Sequence, residues 1–168
     1  MPELREGLRR EIRDSWERSY SCGVDPDRVG AIRLTEAEFR KACQDSEYLL
    51  ETASSVMESL LEFISGTGFV VVLADANSRV LSIMGDRQSL GEARGGGLVE
   101  GTVWSEELVG TNACALAIAL ARPISVVGYE HFCRIAVPSA NCSAPIIDGG
   151  KIIGVMGMEA PCCRFNTH

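Results

Sequence analysis

The chain has 168 residues, 46% hydrophobic and 23% charged, the composition of a globular domain with chain enough for one core. Its net charge of -7 and pI near 4.9 argue against the basic surface that a free-standing nucleic-acid binder carries. No apolar run approaches the ~20 residues that span a bilayer, and a start charged from Glu3 onward is no signal peptide, so a cytoplasmic setting is expected.

Leu8, Ile12, Trp16 and Tyr20 recur every fourth residue and predict a helix from Leu4 to Tyr20. Its arginines (Arg5, Arg9, Arg10, Arg13, Arg18) are interleaved with Glu3, Glu6, Glu11, Asp14 and Glu17, which reads as a solvated face. Gly23 and Pro26 end it, and Val24 to Leu34 read as a linker. Thr35 with Glu38 forms a capping box that opens a second helix, predicted to run unbroken to about Ser65. Phe39, Cys43, Ser46, Leu50, Ala53, Met57, Leu60 and Ile64 form a heptad-like seam on it. Such a seam can face a partner helix or the domain's own sheet.

Gly66 and Gly68 break that helix. Phe69–Ala74 and Val80–Met84 are predicted strands of one hairpin, joined through Asp75, Ala76, Asn77 and Ser78. Ser89 to Arg94 is a short helix or turn. Gly95 to Gly97 lack the pattern of a phosphate loop and read as a flexible loop. Ser105 caps a short helix led by Glu106 and Glu107; Gly110 interrupts it, and Thr111 opens another helix through Ala121. Apolar residues on both sides of that helix predict burial. Strands are expected at Ile124–Val127, Ala144–Ile147 and Ile152–Met158, the last two joined at Gly149 and Gly150. The order fits an α+β fold, with helices packed beside a largely antiparallel sheet.

Seven cysteines, an odd number with no CxxC pair, read as thiols in a reducing compartment, and Cys162 and Cys163 as an exposed tail.

Four motifs stand in order: SWERS (Ser15–Ser19) with GVDP (Gly23–Pro26), WSEELVGTNACALA (Trp104–Ala117), GYEHF (Gly128–Phe132) and CSAPIIDGGKIIGVMGM (Cys142–Met158). Together they resemble the GAF sensor domain that opens sigma-54-dependent transcriptional activators of the acetoin-catabolism and dihydroxyacetone-regulator type. The resemblance implies a GAF-like central antiparallel sheet with helices packed on it, a ligand pocket on one face and dimerisation through helices. It also implies a parent regulator with ATPase and DNA-binding domains. This chain has no GxxxxGK[ST] motif, so it is expected to be the input module alone. The division expected is an N-terminal helix and linker over 1–34, a sensor domain over 35–161 and a tail over 162–168.

Binding of a small metabolite of the hydroxyketone, ketone or diol class is the expected function, with no catalysis and no cofactor. The candidate ligand-binding residues are Trp104, Thr111, Asn112, Glu130, His131, Phe132 and Cys142. His131 could donate a hydrogen bond to a ligand, with Glu130 fixing its tautomer, or could simply tie a loop together. Thr111 and Asn112 could bind a polar group at a helix start or cap their own helix. Trp104 could wall the pocket or fill core. Cys142, opening an apolar strand, could be a small buried hydrophobe. Three alternatives stand beside metabolite binding. One is a non-haem iron gas sensor using Glu130, His131, Cys133 and Cys142. The others are a cysteine-based free methionine sulfoxide reductase and a protein-interaction module.

Overall fold

The computed structural model describes residues 7–28 and 30–165. The first helix, α1, spans Arg10–Ser21. It starts later than the apolar period predicts: Leu8 lies ahead of it, and the expected Leu4 falls outside the described residues. Gly7 favours no helix, and Arg9 stays extended (φ -57°, ψ 151°) to reach a carboxylate far along the chain. Ile12 and Trp16 are buried, so this segment shares the core of the domain.

Residues 31–34 are tied down: Leu34 N–H donates to Gly101 O and Val103 N–H to Ile32 O. Helix α2 (Glu36–Asp45) opens with the expected capping box, Glu38 N–H on Thr35 Oγ1 at 3.3 Å and Thr35 N–H on Glu38 Oε2 at 2.8 Å. The single long helix expected here is two. The backbone at Ser46 departs from helical values (φ -111°, ψ 18°), and α3 runs from Glu47 to Ile64. A serine offers its backbone weaker helical preference than its neighbours do. The break turns the buried stripe to Leu49, Ala53, Met57 and Ile64, which pack on the domain's own sheet with Val71 and Leu73. Each such buried Leu or Ile contributes roughly 1.5–3 kcal/mol.

Strands β1 (Val70–Asp75) and β2 (Val80–Gly85) form the expected hairpin. Helix α4 (Arg87–Gly95) follows, and the glycine stretch after it is a hydrogen-bonded helix end rather than a loose loop. Gly96, Gly97 and Leu98 donate back to Glu92, Arg94 and Ala93. Helix α5 (Glu106–Val109) and helix α6 (Ala113–Leu120) are separated by Gly110. Strand β3 is Ile124–Val127. Strand β4 (Ser139–Asp148) begins five residues before the expected Ala144, because Ser139 to Ser143 pair with the far end of β5 (Lys151–Pro161). A short helix, α7 (Cys162–Phe165), closes the described chain, and the Cys162 thiol donates to Ser139 O at 3.0 Å rather than lying in an exposed tail.

The five strands form one antiparallel sheet in the order β2-β1-β5-β4-β3. Register sorts its side chains by face. Val71, Leu73, Met156 and Met158 meet α2 and α3, while Ile124, Val126 and Val155 meet α1 and α6. The protein is thus an α+β layered domain with helices on both faces. Among the described residues, no helix is long and apolar enough to cross a membrane.

Candidate ligand-binding site

On the α6 face, one row across the sheet reads Val70, Glu159, Asn141 and the next Val72, Gly157, Ser143. The glycine is required: a Cβ at Gly157 would stand 2.6 Å from Ser143 Oγ and 2.9 Å from Cys142 O. Without it, a hollow of about 40 Å³ remains between these rows and a roof that includes Leu98, Trp104, Asn112 and Cys114. Trp104 and Glu159 also line a second chamber of about 160 Å³, which runs beside α4 to Ser139 and Ile135. The two chambers therefore share these side chains as a common wall. Apolar walls with a few convergent polar groups are the ordinary make-up of a small-molecule site.

Asn112 builds the roof. Its Oδ1 accepts the Ala115 N–H at 3.0 Å, so Asn112 and not Thr111 caps α6. Its Nδ2 donates to Trp104 O and Gly110 O, both at 2.9 Å, which fixes the turn that carries the indole. Asn141 links this roof to the sheet: its Oδ1 accepts Ala113 N–H at 3.3 Å and its Nδ2 donates to His131 Nε2 at 3.1 Å. His131 Nδ1 must then carry the proton, which it donates to Gly128 O at 3.0 Å. Burial pushes the His131 imidazole below its ordinary value, so the neutral ring this network needs is the favoured form.

Of the expected residues, Trp104 and Asn112 line the hollow. Thr111 is buried beside it with its hydroxyl 2.7 Å from Ser15 Oγ. Glu130 pairs with Arg9 through two hydrogen bonds of 2.8 Å and accepts Val127 N–H. His131 and Phe132 line a different groove of about 400 Å³, with Trp16, Tyr20 and Tyr129. Cys142 points to the opposite face of the sheet, where with Leu60 and Met156 it lines an open groove of about 460 Å³. The structure thus brings Trp104 and Asn112 to one cavity and distributes the other five around it.

This layout bears on the iron alternative. Both His131 ring nitrogens are engaged by protein groups, and Cys142 lies across the sheet. Among the described residues, no three His, Cys, Asp or Glu side chains are placed to hold a metal ion.

Glu159 is the functional candidate that the motifs do not reveal. Burial pushes its carboxyl up to about 7, against hydrogen bonds with Asn141 and Ser139 that favour the ionised form. The available signal was period two along β5: Val155, Gly157 and Glu159 share a face, and a carboxylate closing such a row is out of place unless something uses it.

The first three motifs also prove to be one bonded cluster. Ser15 of the first donates to Glu106 of the second, and Arg18 binds the same carboxylate at 2.7 and 2.9 Å. Trp16 Nε1 donates to Glu130 O of the third at 2.8 Å. Its ring meets Phe132 edge-on at 5.4 Å.

With an antiparallel sheet carrying a hollow under its helices, residues 48–168 match the GAF domain family, to which this chain belongs. It is 32% identical over 164 residues to the acetoin dehydrogenase operon transcriptional activator AcoR of Bacillus subtilis (strain 168), covering 96% of this chain and 27% of that protein. It is 25% identical over 156 residues to the PTS-dependent dihydroxyacetone kinase operon regulatory protein of Escherichia coli (strain K12), covering 92% of this chain and 24% of the relative. The chain thus spans about a quarter of these relatives' length. Among solved structures, the E. coli DhaR(N)–DhaL complex contains the same fold, with a TM-score of 0.87 at 22% identity over 94% of this chain and 54% of that one.

Proposed function

We propose that this GAF domain is the signal-input module of a sigma-54-dependent transcriptional activator, working in the cytoplasm, and that it senses a small neutral metabolite of the hydroxyketone, ketone or diol class. The observation that carries the reading is the two-chambered hollow walled by Trp104 and Glu159 and roofed by Asn112. A cavity needs roughly 10–15 Å³ to hold one water, so about 160 Å³ accommodates a molecule of several heavy atoms. Relatives named for acetoin and dihydroxyacetone operons regulate genes for molecules of that size and polarity.

Signal would leave through the roof. Trp104, Asn112 and the Gly110 end of α5 are hydrogen-bonded together, and α5 is latched to α1 by Arg18 and Glu106. A ligand shifts that arrangement only by its difference in affinity between the two states. Titration calorimetry with a panel of C3–C5 diols, hydroxyketones and ketones tests the reading. Binding by at least one member, abolished by Trp104→Ala, is expected; silence from the whole panel would remove it.

Dimerisation belongs to the same proposal. Tyr48, Val56 and Phe63 stand 61%, 50% and 87% exposed on the outer side of α3, spaced for a helix-to-helix contact. Sedimentation equilibrium on the wild type and Phe63→Glu checks it, with a dimer expected only for the former.

Catalysis by thiols has less support. Burial raises the Cys114 thiol to about 12 and pushes Cys133 and Cys142 up as well, opposite to what a thiolate nucleophile needs. A docking role for a partner protein has one specific observation behind it: the aromatic groove of Trp16, Tyr20 and Phe132, beside a Tyr129 that is 72% exposed.

A further inference from the structure

Most donors of the polar side chains around the hollow are spent within the protein, the Ser89 hydroxyl on Asp86 among them. Both Asn112 Nδ2 hydrogens go to Trp104 O and Gly110 O. Asn141 Nδ2 spends one on His131 Nε2 and meets Glu159 with its side chain. Trp104 Nε1 donates to Thr102 Oγ1 at 3.0 Å, away from the cavity. The single Ser139 hydroxyl hydrogen is shared between Ala136 O, at 2.8 Å, and the Glu159 carboxylate, and the Cys114 sulfur accepts from the Ser78 hydroxyl. Above pH 7, where Glu159 is ionised, what the protein leaves for an occupant is acceptor capacity, concentrated in this carboxylate, which both chambers share. Among the described residues lining the chambers, the Ser143 hydroxyl can rotate to either role. A second carboxylate, Glu92, stands at the rim of the larger chamber and accepts from Gln88 at 3.0 Å.

We infer that Glu159 is the anchor of the site, and that it selects a small neutral ligand carrying a hydroxyl that donates to this carboxylate. An alcohol is then preferred to the carbonyl compound of the same carbon frame, and anions are refused. The physical reason is complementarity of donors. A ligand hydroxyl facing a carboxylate gains a charge-assisted hydrogen bond. A carbonyl in its place sets acceptor against acceptor and leaves a desolvated oxygen unpaired. A carboxylate or phosphate ligand would meet Glu159 and Glu92 as like charges in an apolar enclosure. The inference rests on the hollow being the sensory site and adds its polarity.

The test is a ladder of four-carbon probes measured by calorimetry at pH 8.5, above the carboxyl's value of about 7. Butane-2,3-diol, acetoin and diacetyl differ only in how many hydroxyls become carbonyls; 2-hydroxybutyrate keeps a hydroxyl and adds a negative charge. The expected order of affinity is diol, then acetoin, then diacetyl, with no binding by the hydroxy acid. Glu159→Gln should weaken the diol about tenfold and compress the ladder, since the amide retains an acceptor without the charge. Diacetyl binding as tightly as the diol, 2-hydroxybutyrate matching it, or an unchanged diol affinity in a folded Glu159→Gln protein would each overturn the inference while leaving the sensory reading intact. Failure of every probe on the wild type, in a panel where larger ligands also fail, would sink both. The wild-type ladder needs no variant, so a misfolded Glu159→Gln does not blunt the test.

Discussion

Arg18 and Glu106 hold α1 against α5 by a two-pronged ion pair, with guanidinium nitrogens 2.7 and 2.9 Å from the two carboxyl oxygens. The same carboxylate accepts the Ser15 hydroxyl, whose oxygen also lies 2.7 Å from Thr111 Oγ1. One glutamate thereby joins the first helix of the chain to the turn that roofs the hollow. Glu106 is largely covered while Arg18 is about half exposed, so solvent screens the pair only in part.

A double-mutant cycle over Arg18→Ala and Glu106→Gln should give a coupling of about 1 kcal/mol, above the usual range for fully exposed pairs because the geometry is bidentate. Urea denaturation measures it. Repeating the cycle in 0.5 M salt should reduce the coupling. A coupling of zero would mean that α1 is held by its other contacts, the buried Trp16 and Ile12 and the Arg9 and Ser15 hydrogen bonds.

Asn112→Ala removes an N-cap, typically worth about 1 kcal/mol, and leaves the Trp104 and Gly110 carbonyls without their donors. A total loss of about 2–3 kcal/mol is expected in urea unfolding. Asn112→Asp keeps the cap and loses the donors, and should fall between the two.

Gly110 combines a left-handed backbone (φ 71°) with a close approach: a Cβ there would lie 2.6 Å from the Phe132 side chain. Gly110→Ala should cost at least ~2 kcal/mol, seen as a lowered thermal midpoint. Pairing it with Phe132→Leu should recover little, because the close atoms include the Phe132 Cβ and Cγ, which leucine keeps.

Glu159 sets a pH dependence whose sign is unusual for a carboxylate. Its folded value, about 7, lies above the ordinary 4.5, so the folded state binds the proton more tightly than the unfolded chain does. Its contribution is therefore fully present below pH 4.5 and is lost as pH rises through 7. The swing is on the order of 3 kcal/mol. Glu159→Gln should flatten this slope and leave the variant more stable than wild type at pH 8. His131 tilts the curve the other way: its folded value is lowered, so acid favours the unfolded chain below the free imidazole range. Its ring protons should titrate below 6.5 by NMR.

Much of the fold was legible because local chemistry agreed with the period. Thr35 and Glu38 announced α2, and Gly149 with Gly150 announced the β4–β5 hairpin. The break at Ser46 was hidden because the heptad-like seam continues through it, and only packing on Val71 and Leu73 turns the stripe. The early start of β4 was hidden because Ser139 to Cys142 are small and polar, and take strand form from their partners Glu159 and Met158. Of the candidate site residues, Trp104 and Asn112 line the hollow. Thr111, Glu130, His131 and Phe132 were candidates for ligand contact, with structural roles open for Thr111 and His131, and their hydrogen bonds and ring packing join other parts of the protein. Motif residues in this chain largely record how α1 docks. Glu159 went unread because its meaning depends on which face of β5 it occupies and on Asn141, a residue from another strand.

Neighbours on β4 answer to different compartments. Asn141 and Ser143 back onto the roofed hollow, while Cys142 between them opens on the open groove beside Leu60. The sheet is in effect a bulkhead one residue thick. A reagent attached to the Cys142 sulfur would sit on the far side from any occupant, able to feel it only as a flexing of the strand. That position is a listening post from which the hollow can be monitored without being entered.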